Sequence, residues 1–468
     1  MKSNTTALQW LWIALALVLT ITVCVAPMGN LPLWNGETPA HRNQYELMAE
    51  AILDGRISFD YGDEHTLAGL KNPYDPAERK EAGVYYHWDH AYYNGTYYMY
   101  FGIVPVFLTF LPYRVLTGHS LTTYHATQVF VAVVIVGIFA LFYLLRKKFF
   151  PQMPLFLYIS LAAAFSVMSV WYSSAEPALY CTAITAAICL EVWSLYFFVL
   201  AVWYEENENR QILFAAIGAL LGALVFGCRP PIGLANIVVL PCVYVFLRNR
   251  KFSRKLLGKL CLAAAPYAVV AAALMIYNYA RFENPFEFGQ AYQLTVADQS
   301  NYKVTLNAAN TLRIYNNTVK NFFAFSDSTI TFPYLKTNSV FANFPILLLG
   351  LWLFRQAVWR KAKTHRLLPF FAGLVVAVLV ITAFDILWSP YLLERYRMDI
   401  YFLMGIGCFT VIGLGVETTP ERRRNVLSGI LTGCAVLTLV AAWLLYARTV
   451  GVYYPERMKE LGQLFGLS

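Results

Sequence analysis

Long apolar stretches alternate with short polar segments along almost the whole chain. They cover residues 8–28, 124–145, 154–171, 178–203, 212–227, 232–247, 256–278, 344–354, 367–387, 400–414 and 425–446. Most approach the roughly 20 apolar residues that a helix needs to cross a bilayer. The pattern predicts an all-α, polytopic membrane helical bundle of about eleven transmembrane helices. The stretch 344–354 is short and is expected to begin earlier. The first stretch lacks a convincing small-residue cleavage site, so it reads as a first span rather than a removed signal. No polar block is large enough to fold alone, so residues 1–468 read as one integral membrane domain.

Two longer polar segments interrupt the rhythm, residues 29–122 and 279–341. The first includes GETPAHRNQYELMAEAILDG and YYHWDHAYYNGTYYMYFG. Long loops are usually functional or disordered, and this one has too many aromatics for disorder. It reads as a small reaction or binding chamber on one face of the bundle. Residues 101–117 are also apolar but contain Pro105, Pro112 and Arg114. If they crossed the membrane, every later basic loop would fall on the outer side. They are therefore expected to lie along the interface as a juxtamembrane helix.

Composition sharpens this picture. The chain is 58% hydrophobic with 13% charged residues, against about 25% charged in soluble domains. The net charge of +9 does not point to nucleic acid. Its basic residues cluster in short loops: Arg146-Lys147-Lys148, residues 248–255, residues 355–366 and Arg422-Arg423-Arg424. That is the positive-inside bias. It predicts a multi-pass protein of the cell membrane with a cytoplasmic N-terminus and both long loops extracytoplasmic. The eight cysteines all sit in or beside apolar stretches and form no CxxC, so they read as packing residues. Asn94-Gly95-Thr96 and Asn316-Asn317-Thr318 match a short glycosylation pattern that carries little weight.

The candidate chemistry falls on the outer side. Residues 45–53 read as an amphipathic helix with Tyr45, Met48, Ala49, Ile52 and Leu53 on one stripe, stopped by Gly55. Glu37, His41 and Arg42 precede it. A carboxylate there could take a proton from a substrate hydroxyl. His87, Asp89 and His90 could hold a divalent metal, although adjacent side chains on an extended strand point to opposite faces. Asn94-Gly95 between tyrosines is a hairpin signal, and the surrounding aromatics suit stacking on sugar rings. Arg229 lies at a span end where the positive-inside bias disfavours it, which suggests a phosphate ligand. Glu394-Arg395-Tyr396-Arg397 repeats the theme, and Glu176 shares the face. Glu191 lies deep in a span, where carboxylates are costly and usually functional. Asp385 could approach the chamber, and residues 282–292 could fold over it.

Several segments resemble the bacterial integral membrane glycosyltransferases of the GT-C superfamily, relatives of protein O-mannosyltransferases and of the aminoarabinose transferase that modifies lipid A. They are RNQYELMAEAILDGRISFD, WDHAYYNGTYYMYFGIVPVFLTFLPYRVLTG, Ser174-Ala175-Glu176-Pro177, NPFEFGQAYQL and ERYRMD. The resemblance implies an inverting sugar transfer from a polyprenyl-phosphate-linked donor to a glycan, lipid or protein acceptor of the envelope. It implies an acidic base in the first outer loop and basic residues on the departing phosphate, with no nucleotide-sugar site and, in some members, no metal. Relatives often place an Asp shortly before the tyrosine that starts the interfacial helix. Here His41 and Arg42 occupy those positions, so Glu37 or Asp89 is the candidate base. Arg229, with Arg395 or Arg397, is the candidate phosphate clamp. His87, His90, His41, Tyr45 and the Tyr92-Tyr93 pair are candidate substrate contacts. Arg229→Ala is expected to abolish transfer without unfolding. The alternatives are a flippase or transporter of a lipid-linked glycan, a polymerase or ligase of such glycans, and an inactive scaffold.

Overall fold

The computed structural model describes residues 6–26, 43–248, 250, 251, 253–300, 305–325, 336, 338–388, 393–453, 455, 456, 459 and 463. Its helices, in chain order, are α1 (Ala7–Val25), α2 (Gln44–Leu53), α3 (Pro76–Ala82), α4 (Leu111–Thr117), α5 (Thr123–Phe149), α6 (Leu155–Ala175), α7 (Leu179–Val199), α8 (Glu208–Phe226), α9 (Pro230–Gly233), α10 (Val239–Leu247), α11 (Arg254–Phe282), α12 (Ala308–Phe323), α13 (Val340–Asn343), α14 (Gln356–Thr364), α15 (Leu368–Trp388), α16 (Met398–Glu417) and α17 (Glu421–Tyr453). Among the described residues, ten helices are long and apolar enough to cross a membrane. The chain is an all-α multi-pass membrane protein, as its pattern predicts.

The eleventh predicted crossing takes a different form. Between Ser339 and Arg355 the chain runs through α13 and a ten-residue 3₁₀ helix, Pro345–Phe354. A 3₁₀ helix rises about 2.0 Å per residue against 1.5 Å for an α-helix, so this segment covers about 20 Å with few residues. It packs against α16, where the Cys408 thiol donates to the Ile346 carbonyl at 3.3 Å. Gly415 leaves room for the Trp352 ring, which a Cβ there would approach to 2.7 Å. The helical segment begins at Val340, ahead of the apolar run.

Contacts across the bundle define two ends. At the basic end, Trp203 Nε1 donates to the His365 carbonyl at 3.3 Å and Gln152 N donates to Glu417 at 3.2 Å. Lys259 pairs there with Glu208 at 2.6 Å. The long loops gather at the opposite end, where Arg448 pairs with Glu394 at 3.1 Å and the Tyr172 and Tyr453 hydroxyls meet at 3.0 Å.

The first loop is ordered by local caps. Asn43 Oδ1 accepts from the Tyr45 and Glu46 amides to start α2, and Gly55, at φ +74, ends the turn beyond it. The Asn-Gly signal makes the predicted hairpin. Strands β1 (Ala91–Tyr93) and β2 (Thr96–Tyr98) pair with Tyr92 opposite Tyr97. Asn94 and Gly95 both take positive φ, as a type I′ turn requires. Residues 283–300 are woven onto this loop. The Asp89 amide donates to the Leu294 carbonyl at 2.9 Å, the Leu294 amide returns to His90 at 2.9 Å, and Arg79 Nη2 reaches the Thr295 carbonyl at 2.6 Å.

The apolar run after the hairpin does not cross. It forms a short helix, Val106–Thr117, held against α2 by the Arg114–Glu50 pair at 2.9 Å and by Tyr45 stacked on Phe110 at 5.1 Å. Just before it the loop docks onto the bundle, with the Val104 amide donating to the Gly227 carbonyl at 2.9 Å. A Cβ on Gly102 would collide with the Gly227 and Cys228 carbonyls. Backbone cannot move aside as a side chain can, so Gly102→Ala is expected to cost about 1–3 kcal/mol. A lowered unfolding midpoint in detergent checks this, and an unchanged one would refute it.

Candidate active site

Asp89 lies where the hairpin meets the bundle. It holds φ +57, an uncommon conformation that Asp tolerates better than most residues. Its side chain is buried and held from two sides. Tyr180, at the start of α7, donates to Oδ2, and Gln293 Nε2 donates to Oδ1 at 2.8 Å. Gln44, at the start of α2, donates to the Asp89 carbonyl at 2.8 Å. Two separate segments therefore hold the carboxyl, and a third holds its main chain. Burial pushes its pKa above the usual carboxylate value, while the Tyr180 and Gln293 hydrogen bonds and the Arg395 charge pull it down.

Arg395 lies next to it. Its guanidinium covers the Tyr180 ring at 4.0 Å, so Tyr180 touches the cation with its ring face and the Asp89 carboxylate with its hydroxyl. Glu176, in the turn between α6 and α7, is buried beside the same cation. Burial raises its pKa, and Arg395 opposes that rise. Glu394, the neighbouring carboxylate in sequence, does not neutralise Arg395. It turns instead to Arg448 of α17. Among the described residues Arg395 has no ion-pair partner within 4 Å. It is a partly buried cation with donors to spare, which is what a phosphate ligand needs.

Arg229 is in the same region but is committed. Its Nε and Nη2 both reach Asp399 Oδ2 at 2.8 Å, and its guanidinium lies 4.9 Å from the Tyr396 ring centre. Asp399 is fully buried in the first turn of α16, where the helix dipole favours a negative charge. Its other oxygen has no hydrogen-bond partner among the described residues. Asp385, buried near the end of α15, is close enough to act electrostatically on both groups. Tyr45 approaches from α2. Its ring packs on Phe110 and Phe101, and its buried hydroxyl has no partner among the described residues. Burial drives its pKa well up, with Cys228 adding to the rise and Arg229 opposing it.

The other residues singled out in the sequence have structural partners. His90 uses both ring nitrogens, Nδ1 with the Trp88 carbonyl at 2.9 Å and Nε2 with the Tyr61 hydroxyl at 2.8 Å. His87 stacks on Tyr61 at 3.6 Å and bonds Asp63 at 3.1 Å. The two histidines belong to an aromatic stack with Tyr61 and Tyr97, and neither is aimed at Asp89. No three His, Cys, Asp or Glu side chains form a metal-binding group among the described residues. Arg397 donates to Asn321 Oδ1 at 2.9 Å and to the Asn338 carbonyl, tying the second loop down. Tyr92 donates to the Glu64 carbonyl at 2.8 Å, and Tyr93 to Glu283 at 3.3 Å. In the membrane interior, Glu191 Oε2 accepts from Asn236 Nδ2 at 3.2 Å. Phe282 and Tyr292, the proposed cover, pack against the hairpin, with Tyr292 4.6 Å from Tyr93. Glu37 and His41 lie outside the described residues.

Burial lowers the His90 pKa from 6.5 to about 3. A depressed His pKa contributes stability that is present above 6.5 and lost as pH falls toward 3, because the unfolded chain takes the proton first. At pH 5 the loss is about 2 kcal/mol. Protection of the amides across residues 59–97, measured against their intrinsic exchange rates, should therefore fall between pH 7 and pH 5, and His90→Gln should flatten that dependence. An equal slope in both proteins would contradict the assignment.

The site also contains residues that pattern reading passed over. Tyr180 and Gln293 hold Asp89, and Asp399 holds Arg229. Asp399 carries one signal, a carboxylate in the first turn of an apolar helix. Tyr180 and Gln293 carry none, since each is distinguished only by what the fold places opposite it.

Three solved structures are similar to the chain in fold. The Archaeoglobus fulgidus oligosaccharyltransferase, tethered with an acceptor peptide containing the NVT sequon, shares 12% identity at a TM-score of 0.47 over 94% of this chain. Its apo form gives 13% and 0.46, also over 94% of this chain and 56% of the other. ArnT from Cupriavidus metallidurans, bound to undecaprenyl phosphate, gives 14% and 0.45 over 94% of this chain and 74% of its own. The chain spans 55% of the length of the tethered oligosaccharyltransferase. At this distance the likeness is one of fold, and no residue role follows from it. No family model matches the chain, and no curated protein matches its sequence.

Proposed function

We propose that the protein is a membrane glycosyltransferase that moves a sugar from a polyprenyl-phosphate donor to an envelope acceptor, with inversion, at the extracytoplasmic face. The observation that carries this reading is the setting of Arg395. It is a cation without an ion-pair partner among the described residues. It lies at the loop end of a membrane bundle, between Asp89 and Glu176 and beside the Arg229–Asp399 pair. Arg395 holds the donor phosphate and stabilises the charge that grows on it as the sugar leaves. Arg229, neutralised by Asp399, shapes the wall behind it. An acceptor hydroxyl attacks the anomeric carbon as the bond from that carbon to the phosphate oxygen breaks. Its proton passes to a carboxylate, Asp89 or Glu37, and polyprenyl phosphate departs.

Asp89 as base has a visible consequence. Its pKa is raised, and the carboxylate is the working form, so transfer should climb with pH through a midpoint above the usual carboxylate range. Asp89→Asn should lower the rate by about 10²–10⁴-fold and remove that limb of the profile. A variant that keeps both rate and limb would move the role to another carboxylate.

The reaction itself is tested with purified protein and labelled polyprenyl-phosphate sugars in detergent. Release or transfer of the sugar is expected. Movement of the intact lipid across a vesicle without consumption would replace this reading with a flippase. Glu191, buried in a span with one oxygen lacking a partner among the described residues, is the feature that favours that alternative.

A further inference from the structure

Helix α12 is built inside out. Leu312, Tyr315, Val319 and Phe323 recur at spacings of three, four and four, so they fall on one stripe. In a helix packed on a soluble core that stripe would be covered. Here it is the exposed side, with Leu312 59%, Tyr315 65%, Val319 42% and Phe323 59% accessible. The polar stripe faces the protein instead. Arg313 Nη2 donates to the Leu387 carbonyl at 3.2 Å, and Asn321, buried, accepts from Arg397 Nε at 2.9 Å.

The position of α12 identifies what covers the stripe. Leu387 ends a membrane-spanning segment, Leu368–Leu387, so the Arg313 bond sets α12 at the level where that span leaves the bilayer. Val375, Val376 and Leu379 of the same span are exposed and apolar, and α12 packs against that span at its loop end. Lys320 is exposed at the border of the stripe, placed to reach headgroup phosphates while its stem stays with the apolar residues.

We propose that α12 is an interfacial helix, seated by its Leu312–Tyr315–Val319–Phe323 face in the phospholipid of the leaflet at the loop end. Through Asn321 and Arg397 its depth in that leaflet is coupled to the segment that carries Arg395. This inference rests on burial and topology and stands whether or not the protein transfers sugars.

The test uses the intact protein in phosphatidylethanolamine–phosphatidylglycerol vesicles containing a phospholipid with a diazirine on its acyl chain. After photolysis, mass spectrometry should find adducts on Leu312, Tyr315, Val319 and Phe323 at levels comparable to Leu379, and none on Asn321. Hydroxyl-radical footprinting of the same vesicles should leave the stripe weakly modified. Adducts on Leu379 with none on α12, together with strong hydroxyl-radical modification of the stripe, would show it facing water and overturn the proposal. Protection from both reagents with cross-links between two copies would also overturn it, in favour of a protein interface.

Discussion

Arg395→Ala is expected to lower transfer by about 10²–10³-fold, the usual effect of removing one donor aimed at developing charge, while the protein remains folded. The structure separates these two outcomes. Arg395 forms no ion pair among the described residues, so its removal strands no bonded partner. What is lost in the resting protein is the contact over Tyr180 and a favourable field at Asp89 and Glu176. A cation–π contact at a partly exposed site is worth about 0.5–1 kcal/mol, too little to unfold the bundle. Arg395→Lys should recover only part of the activity, because an ammonium provides a point charge without the two-pronged geometry. Turnover measured beside a thermal melt checks both statements. Full activity in a folded Arg395→Ala protein would remove this residue from the site.

Arg229→Ala is expected to behave differently. From sequence alone it reads as a phosphate ligand whose loss spares the fold. Its double bond to a fully buried Asp399 changes that expectation. Breaking a buried pair leaves an uncompensated charge and costs about 3–5 kcal/mol. Asp385, close by, adds to the strain of a second buried carboxyl. The variant should melt well below the parent in detergent and lose activity for that reason. Combining it with Asp399→Asn should restore part of the stability, because the stranded charge is then gone. A melting midpoint equal to the parent in Arg229→Ala alone would show that the pair contributes little and would return Arg229 to the role of free ligand.

The fold was legible because bilayer physics leaves a coarse imprint. Apolar runs of the right length, basic loops on one side and prolines in residues 101–117 were enough to place the spans and the juxtamembrane helix. Asn94-Gly95 announced its hairpin because few turns accept two positive φ angles in succession. Residues 340–354 were the exception: a 3₁₀ helix stands where the apolar run predicts an eleventh span, outside the ten helices among the described residues that are long enough to cross. The charges of the candidate site were legible and their partners less so. Arg229 and Arg395 stand out as charges at span ends, and Asp89 as a carboxylate in an aromatic loop segment. Whether each is free or paired depends on residues from distant segments, Tyr180, Gln293 and Asp399, which have no local signature. His87 and His90 were attractive for the same reason that misplaces them: a histidine in an aromatic segment looks the same whether it faces a ligand or, as here, locks a stack with Tyr61.

In the proposed reaction the cluster around Arg395 at the loop end receives a lipid phosphate. The most direct measurement is an experimental structure of the protein in a nanodisc with polyprenyl phosphate. The phosphate is expected within hydrogen-bond distance of the Arg395 guanidinium. A phosphate bound instead at the opposite end, beside Arg146-Lys147-Lys148, with the Arg395 surroundings unchanged, would contradict the account.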